Sequence, residues 1–220
     1  MLIAFQNGTF IQNPKYPSWL YIAGRFRYQF IPSEFNFDSI CSLRLDFESV
    51  VLAQPNAAGC DNVDRIEVET GSRQRVPTVC GFLTGSHSKY KIYTVYISMS
   101  IHKYYTYIAV YLNTGSVRTG ATITITKVGT MRTQWRIKTR FLECGLVSLP
   151  PIDCLQYLTG ITNHIESFNS RASPPVMIGR LNYAICMRQE KGTNKGIGLD
   201  AHKVLFHVLA YFQLGTSIYF

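Results

Sequence analysis

The chain has no Cys-x-x-Cys pair, few histidines, no long uninterrupted apolar run and no carboxylate between residues 70 and 142. The first absence excludes zinc ribbons and thioredoxin-like redox motifs. His87, His102, His164, His202 and His207 show no metal-ligand spacing. The most apolar stretches, 92–111 and 204–214, are interrupted by His102, Lys103 and His207, so no membrane span is expected. The opening MLIAF is too short, and lacks the basic flank, to be a signal peptide. No Gly-x-Ser-x-Gly and no Cys–His arrangement points to a nucleophile with its base. Gly192 to Gly198 lacks the lysine-serine ending of a phosphate-binding loop. Asp46 and Glu48 read as solvent-facing charges on a strand rather than a glycosidase pair. No catalytic residue, cofactor or metal is expected, and the chain is read as a non-enzyme.

What is present favours sheets. The 220 residues suffice for a real core, and their apolar set leans on Tyr, Phe, Ile and Val with Thr between them. Six cysteines allow up to three disulfides. Cys60 with Cys80 and Cys144 with Cys154 sit at spacings that close short loops; both pairs are read as bridges, which implies an oxidising compartment. Buried free thiols inside a cell are the alternative. The sequon at Asn7 agrees with secretion as a site of N-glycosylation. Residues 70–142 carry eleven basic groups and no acid, which would attract sulfated glycans, acidic protein loops or nucleic acid.

Period-2 alternation marks the strands. Residues 26–31 look strand-like. Within 40–52, Leu43, Leu45 and Phe47 alternate with Arg44, Asp46 and Glu48, and 63–69 read as a second strand. Residues 121–128 alternate Ile with Thr, and Gly129-Thr130 can turn the chain. Residues 134–141 place Trp135, Ile137 and Phe141 on one face and Arg136, Lys138 and Arg140 on the other. These three charges span about 13 Å at roughly 3.3 Å per residue. With Arg132 they form a candidate anion-binding stripe; the alternative role is protection of an edge strand. The pattern restarts in 144–190, while VLFHVLAYF fits a helix or a strand.

Several segments resemble the CUB domain of arthropod secreted proteins: NGTFIQNPKYPSWL, SLRLDFESVVLAQP with GCDNVDRIEV and VPTVCG, and QWRIKTRFLEC. CLQYLTG, ESFN and LNYAICMRQE resemble the start of a second copy. The resemblance covers 7–87 and 111–190. It implies an all-β, antiparallel β-sandwich of jelly-roll type that is secreted and binds an extracellular protein or an anionic glycan. It also implies the Cys60–Cys80 disulfide. Phe26 stands where the family has the cysteine that pairs with Cys41, so Cys41 is expected unpaired, and Cys186 likewise. Many relatives bind calcium through one Glu and two Asp. Asp64 matches one ligand, Ala53 stands at the Glu position and Ser98 near the third, so no calcium is expected.

The organisation expected is a CUB-like domain over 1–143, an incomplete second one over 144–191 and an unassigned tail over 192–220. Residues 88–110, with six tyrosines, three lysines and no acid, glycine or proline, interrupt the resemblance as an atypical insert. An intron read-through explains it; an aromatic-basic surface for single-stranded nucleic acid is the rival, and no nucleic-acid partner is expected. The function expected is non-enzymatic, extracellular binding of a protein or glycan. A non-catalytic fragment of a CUB-containing extracellular protease and an aberrant, truncated product without stable function are the alternatives.

Overall fold

The structure is a computed structural model that describes residues 2–4, 8–31, 40–70, 76–84, 87–88, 106–107, 110–113, 120–145, 149–151, 154–160, 167–170, 172–174, 176, 178–179, 181–189 and 204–207. Asn7, Ser98, and most of 88–110 and 192–220 lie outside them. Among the described residues every regular element is a strand. In chain order they are β1 (Leu2–Ala4), β2 (Phe10–Gln12), β3 (Gly24–Phe30), β4 (Ile40–Val51), β5 (Arg65–Thr70), β6 (His87–Ser88), β7 (Thr106–Tyr107), β8 (Val110–Asn113), β9 (Ala121–Lys127), β10 (Gln134–Glu143), β11 (Cys154–Gly160), β12 (Ala184–Gln189) and β13 (Val204–His207).

The strands form two main sheets. A four-stranded sheet has the order β1-β3-β9-β5, and a seven-stranded sheet the order β13-β12-β11-β8-β4-β10-β2. Neighbours are antiparallel except β1 with β3 and β11 with β12. The inward faces close on one core: Phe30, Ile123 and Ile125 from the first sheet pack with Leu43, Leu45, Trp135 and Ile137 from the second. Two apolar faces can leave water together only by stacking this way, so the molecule is an all-β sandwich. Trp135 is fully buried; its ring lies 5.0 Å from that of Phe26, and its indole N–H donates to the Tyr28 hydroxyl at 3.2 Å.

The period-2 reading of β4 holds only to Phe47. Opposite Arg136 and Ile137 the partners are Ser49 and Phe47, so Glu48 is an extra residue in the ladder. The bulge reverses the alternation: Leu43, Leu45 and Phe47 face inward before it, and Val50 and Leu52 after it. The turn at 168–170 replaces the strand pattern expected around ESFN, with Asn169 at a φ of 65°. Val110, the last residue of the expected insert, is a core residue of β8. In the tail, β13 adds to β12 as a strand.

The cysteine pairing departs from the short-loop reading. Cys60 is bonded to Cys80. Cys144 is bonded to Cys41 and Cys154 to Cys186, so the expected Cys144–Cys154 bridge does not exist and neither Cys41 nor Cys186 is free. The ladder supplies the reason. Antiparallel pairing sets Leu142 opposite Ser42 but Glu143, at the end of β10, opposite Ile40, at the start of β4, so Cys41 is an extra residue at the end of this ladder. The Cα atoms of Cys41 and Cys144 are 4.9 Å apart there, although 103 residues separate them in sequence. Parallel pairing of β11 and β12 brings the Cys154 and Cys186 Cα atoms to 5.7 Å. Both lie in the normal disulfide range.

Strands on the two sides of residue 143 share one sheet through the pairing of β11 with β8. Leu155, Phe168, Ile178, Leu181, Tyr183 and Ile185 belong to the same core as β4 and β10. Asn169 ties the two stretches together. Its side-chain oxygen accepts from the Phe82 N–H at 2.6 Å, and its amide donates to the Val176 carbonyl at 2.6 Å and the Gln54 side chain at 3.0 Å. Gly81, at a φ of 87°, faces that amide so closely that any side chain there would collide with it.

Candidate anion-binding face

Alternation along β10 turns Trp135, Ile137, Thr139 and Phe141 into the core. Arg136, Lys138 and Arg140 therefore lie on the outer face of the seven-stranded sheet. The strand is not an edge here. It runs between β4 and β2, with Arg136 opposite Gln12 and Lys138 opposite Phe10. The edge-protection reading is thus corrected: β2 already covers the backbone that those charges would have guarded.

The stretch 13–20 continues along β10 beyond β2, and hydrogen bonds hold it there. Buried Asn13 donates its N–H to the Trp135 carbonyl at 3.1 Å and accepts the Trp135 N–H on its side chain at 3.0 Å. Its amide also donates to the Ser18 carbonyl at 2.9 Å. Leu20 and Thr133 exchange two backbone hydrogen bonds, at 2.8 and 3.0 Å. These ties set three aromatic rings beside the cations. The Arg136 guanidinium lies 4.4 Å from the Phe10 ring centre and 5.4 Å from that of Tyr16. The Lys138 ammonium is 5.5 Å from Phe10. Arg132, in the connection before β10, stacks 4.9 Å over Trp19. A ring beneath a cation holds its position while leaving its N–H groups facing outward.

Carboxylates on β4 partly neutralise the row. Glu48 lies 3.2 Å from the Arg136 Nε, within ion-pair distance, but the N–H does not point at it, so the ion pair is not also a good hydrogen bond. Asp46 is paired with Arg44 at 2.8 Å and lies 3.9 Å from Arg140. Asp46 is buried under these arginines, which corrects its reading as a solvent-facing charge. Among the described residues Lys138 has no carboxylate partner. The face thus holds cations at fixed places with part of their charge already countered. Alternation in the sequence identified Arg136, Lys138 and Arg140; Phe10, Tyr16 and Trp19 were missed, because they lie more than a hundred residues away and only the β2–β10 pairing makes them neighbours.

Asp64, the one calcium-ligand position matched in sequence, is engaged by the chain's own donors. It is buried and ion-paired with the Lys127 ammonium at 3.2 Å. The Val128 and Gly129 N–H groups donate to its other oxygen at 2.8 and 3.4 Å, and the Thr133 hydroxyl donates as well. Lys127 also donates to the Gly129 and Met131 carbonyls at 2.8 and 2.5 Å. Burial alone would push the Asp64 carboxyl up; the bonds from Thr133, Val128 and Lys127, with the lysine charge, outweigh it and hold the group below the usual carboxylate range. A calcium ion would have to displace a buried ammonium and find further oxygen ligands, and Ala53 supplies none, so these residues do not fit it. Among the described residues no group of three His, Cys, Asp or Glu clusters as metal ligands do.

No curated protein matches the chain. Among solved structures it is similar to the "CUB1-EGF-CUB2 domains of rat MASP-1", at 14% identity and a TM-score of 0.43, over 87% of this chain and 72% of that one. Residues 151–207 match the family described as the animal CUB domain. The stretch that contains β11, β12 and β13, with the Cys154–Cys186 bridge, is therefore similar to animal CUB domains.

Proposed function

We propose that the protein is a non-enzymatic, extracellular CUB-type module that recognises an anionic partner, a sulfated glycan or an acidic protein surface, on the outer face of β10. The observation that carries the reading is the row Arg136, Lys138 and Arg140, with Arg136 and Lys138 set over Phe10 and Tyr16 beside them. Cations fixed in place lose little freedom on binding, and guanidinium groups meet sulfates and carboxylates in bidentate fashion. The three disulfides favour an oxidising compartment, as the secreted reading requires. The division into a CUB-like unit over 1–143 and a second over 144–191 is kept as part of this proposal, with the second docked on the sheet of the first.

The test is retention on heparin. The chain is expected to bind at low ionic strength and elute as salt screens the face. Replacing Arg136, Lys138 and Arg140 together with Ala is expected to move elution to clearly lower salt. Unchanged retention in that variant would show that the row is not the binding face.

A further inference from the structure

Two connections at one end of the sandwich carry apolar side chains into solvent. In 19–23, Tyr21 is 57% and Ile22 77% exposed; in 128–132, Val128 is 47% and Met131 70% exposed. The Leu20–Thr133 bridge joins the two connections, so Tyr21 and Ile22 run alongside Arg132 and Met131. Single exposed apolar residues are ordinary, but four on two joined loops make a patch. The patch has a rigid base, because Lys127 and Asp64 grip the second loop through Val128, Gly129 and Met131.

The charges on these two connections are of one sign. Neither connection contains a carboxylate. Arg132 follows Met131 and lies over Trp19, and exposed Arg25, at the start of β3, follows Ile22 by three residues. Among the described residues neither arginine is paired with a carboxylate. Exposed apolar side chains, two aromatic rings and two arginines thus share this end of the sandwich. A bilayer surface offers a partner for each: acyl chains, the headgroup level and anionic charge. A protein partner would have to match the patch in shape, whereas a lipid surface needs only this set of side chains.

We propose that this end of the molecule docks on a phospholipid surface bearing anionic headgroups. Ile22, Val128 and Met131 enter the interface, Trp19 and Tyr21 lie at headgroup level, and Arg25 and Arg132 meet the anionic groups. The row Arg136, Lys138 and Arg140 of the proposed glycan or protein face takes no part in it; of the candidate stripe only Arg132, with Trp19 beneath it, is shared.

The experiment uses the full chain with vesicles of phosphatidylcholine alone and of equal parts phosphatidylcholine and phosphatidylserine. Trp19 and Trp135 are the two tryptophans, and Trp135 is fully buried, so a lipid-induced change in emission reports on the tip. Expected are co-sedimentation with the mixed vesicles, weakened by salt, and quenching of Trp19 by brominated acyl chains. Ile22→Asp with Met131→Asp is expected to lower the affinity at least about tenfold, from the apolar area no longer buried. Both positions are exposed, and an unchanged near-ultraviolet circular dichroism spectrum would show the core intact. Failure to bind either vesicle, as for a patch that meets a protein instead, would overturn the proposal. So would binding that survives the tip variant and is lost on replacing Arg136, Lys138 and Arg140 with Ala, because the sheet face would then be adsorbing by charge alone.

Discussion

Lys127 and Asp64 are the costliest residues in the core to separate. Neither side chain reaches solvent, and every hydrogen bond they make holds the connection between β9 and β10. Removing one member leaves a buried charge facing no opposite charge. Lys127→Met is therefore expected to lower stability by about 3–5 kcal/mol, and adding Asp64→Asn to recover part of it. The sign of the pH effect follows from the depressed Asp64 carboxyl. Its contribution is complete above the ordinary carboxylate value and is lost as pH falls through the lowered one. Urea unfolding at a series of pH values should show the steepest acid loss in the parent and a shallower one in the double variant. The same pair holds Val128 and Met131 at the tip, so it also stiffens the patch above it.

Among the strands, β4 and β10 do most to organise the molecule. Their ladder sets the buried Trp135, carries the cation row on its outer face and aligns Cys41 with Cys144. The bulge at Glu48 bends this ladder and changes which β4 residues face the core. Closing a loop of 103 residues restricts the unfolded chain strongly. Cys41→Ser with Cys144→Ser is expected to cost about 4–5 kcal/mol on chain-entropy grounds, measured as a lower urea midpoint with the other two disulfides intact. A variant that unfolds at the parent's midpoint would show that the strand ladder, not the cross-link, supplies this stability.

As a whole the chain joins its later strands to the sandwich rather than trailing them. Gln156 pairs with Val110, Phe168 and Tyr183 pack in the common core, and Asn169 bridges Gln54, Phe82 and Val176. Asn169→Ala would leave the half-buried Phe82 N–H and Val176 carbonyl without this partner, in a backbone conformation that Asn tolerates better than Ala. The expected cost is about 3 kcal/mol, with one cooperative unfolding transition in both parent and variant. Two separate transitions in the parent would show instead that residues after 143 fold as a unit of their own.

The sequence by itself determined the all-β class, the outward row of Arg136, Lys138 and Arg140, and the buried face of Trp135, Ile137 and Phe141. These follow from local alternation, which backbone geometry converts directly into opposite faces of a strand. Only the tertiary structure decided the partners. Cys41 met Cys144, Arg136 met Phe10 and Tyr16, Asp64 met Lys127, and Ile22 came beside Met131, each across a gap in sequence that no local period spans. Pairing register and the Glu48 bulge set those neighbours, and register depends on the whole ladder closing around one core.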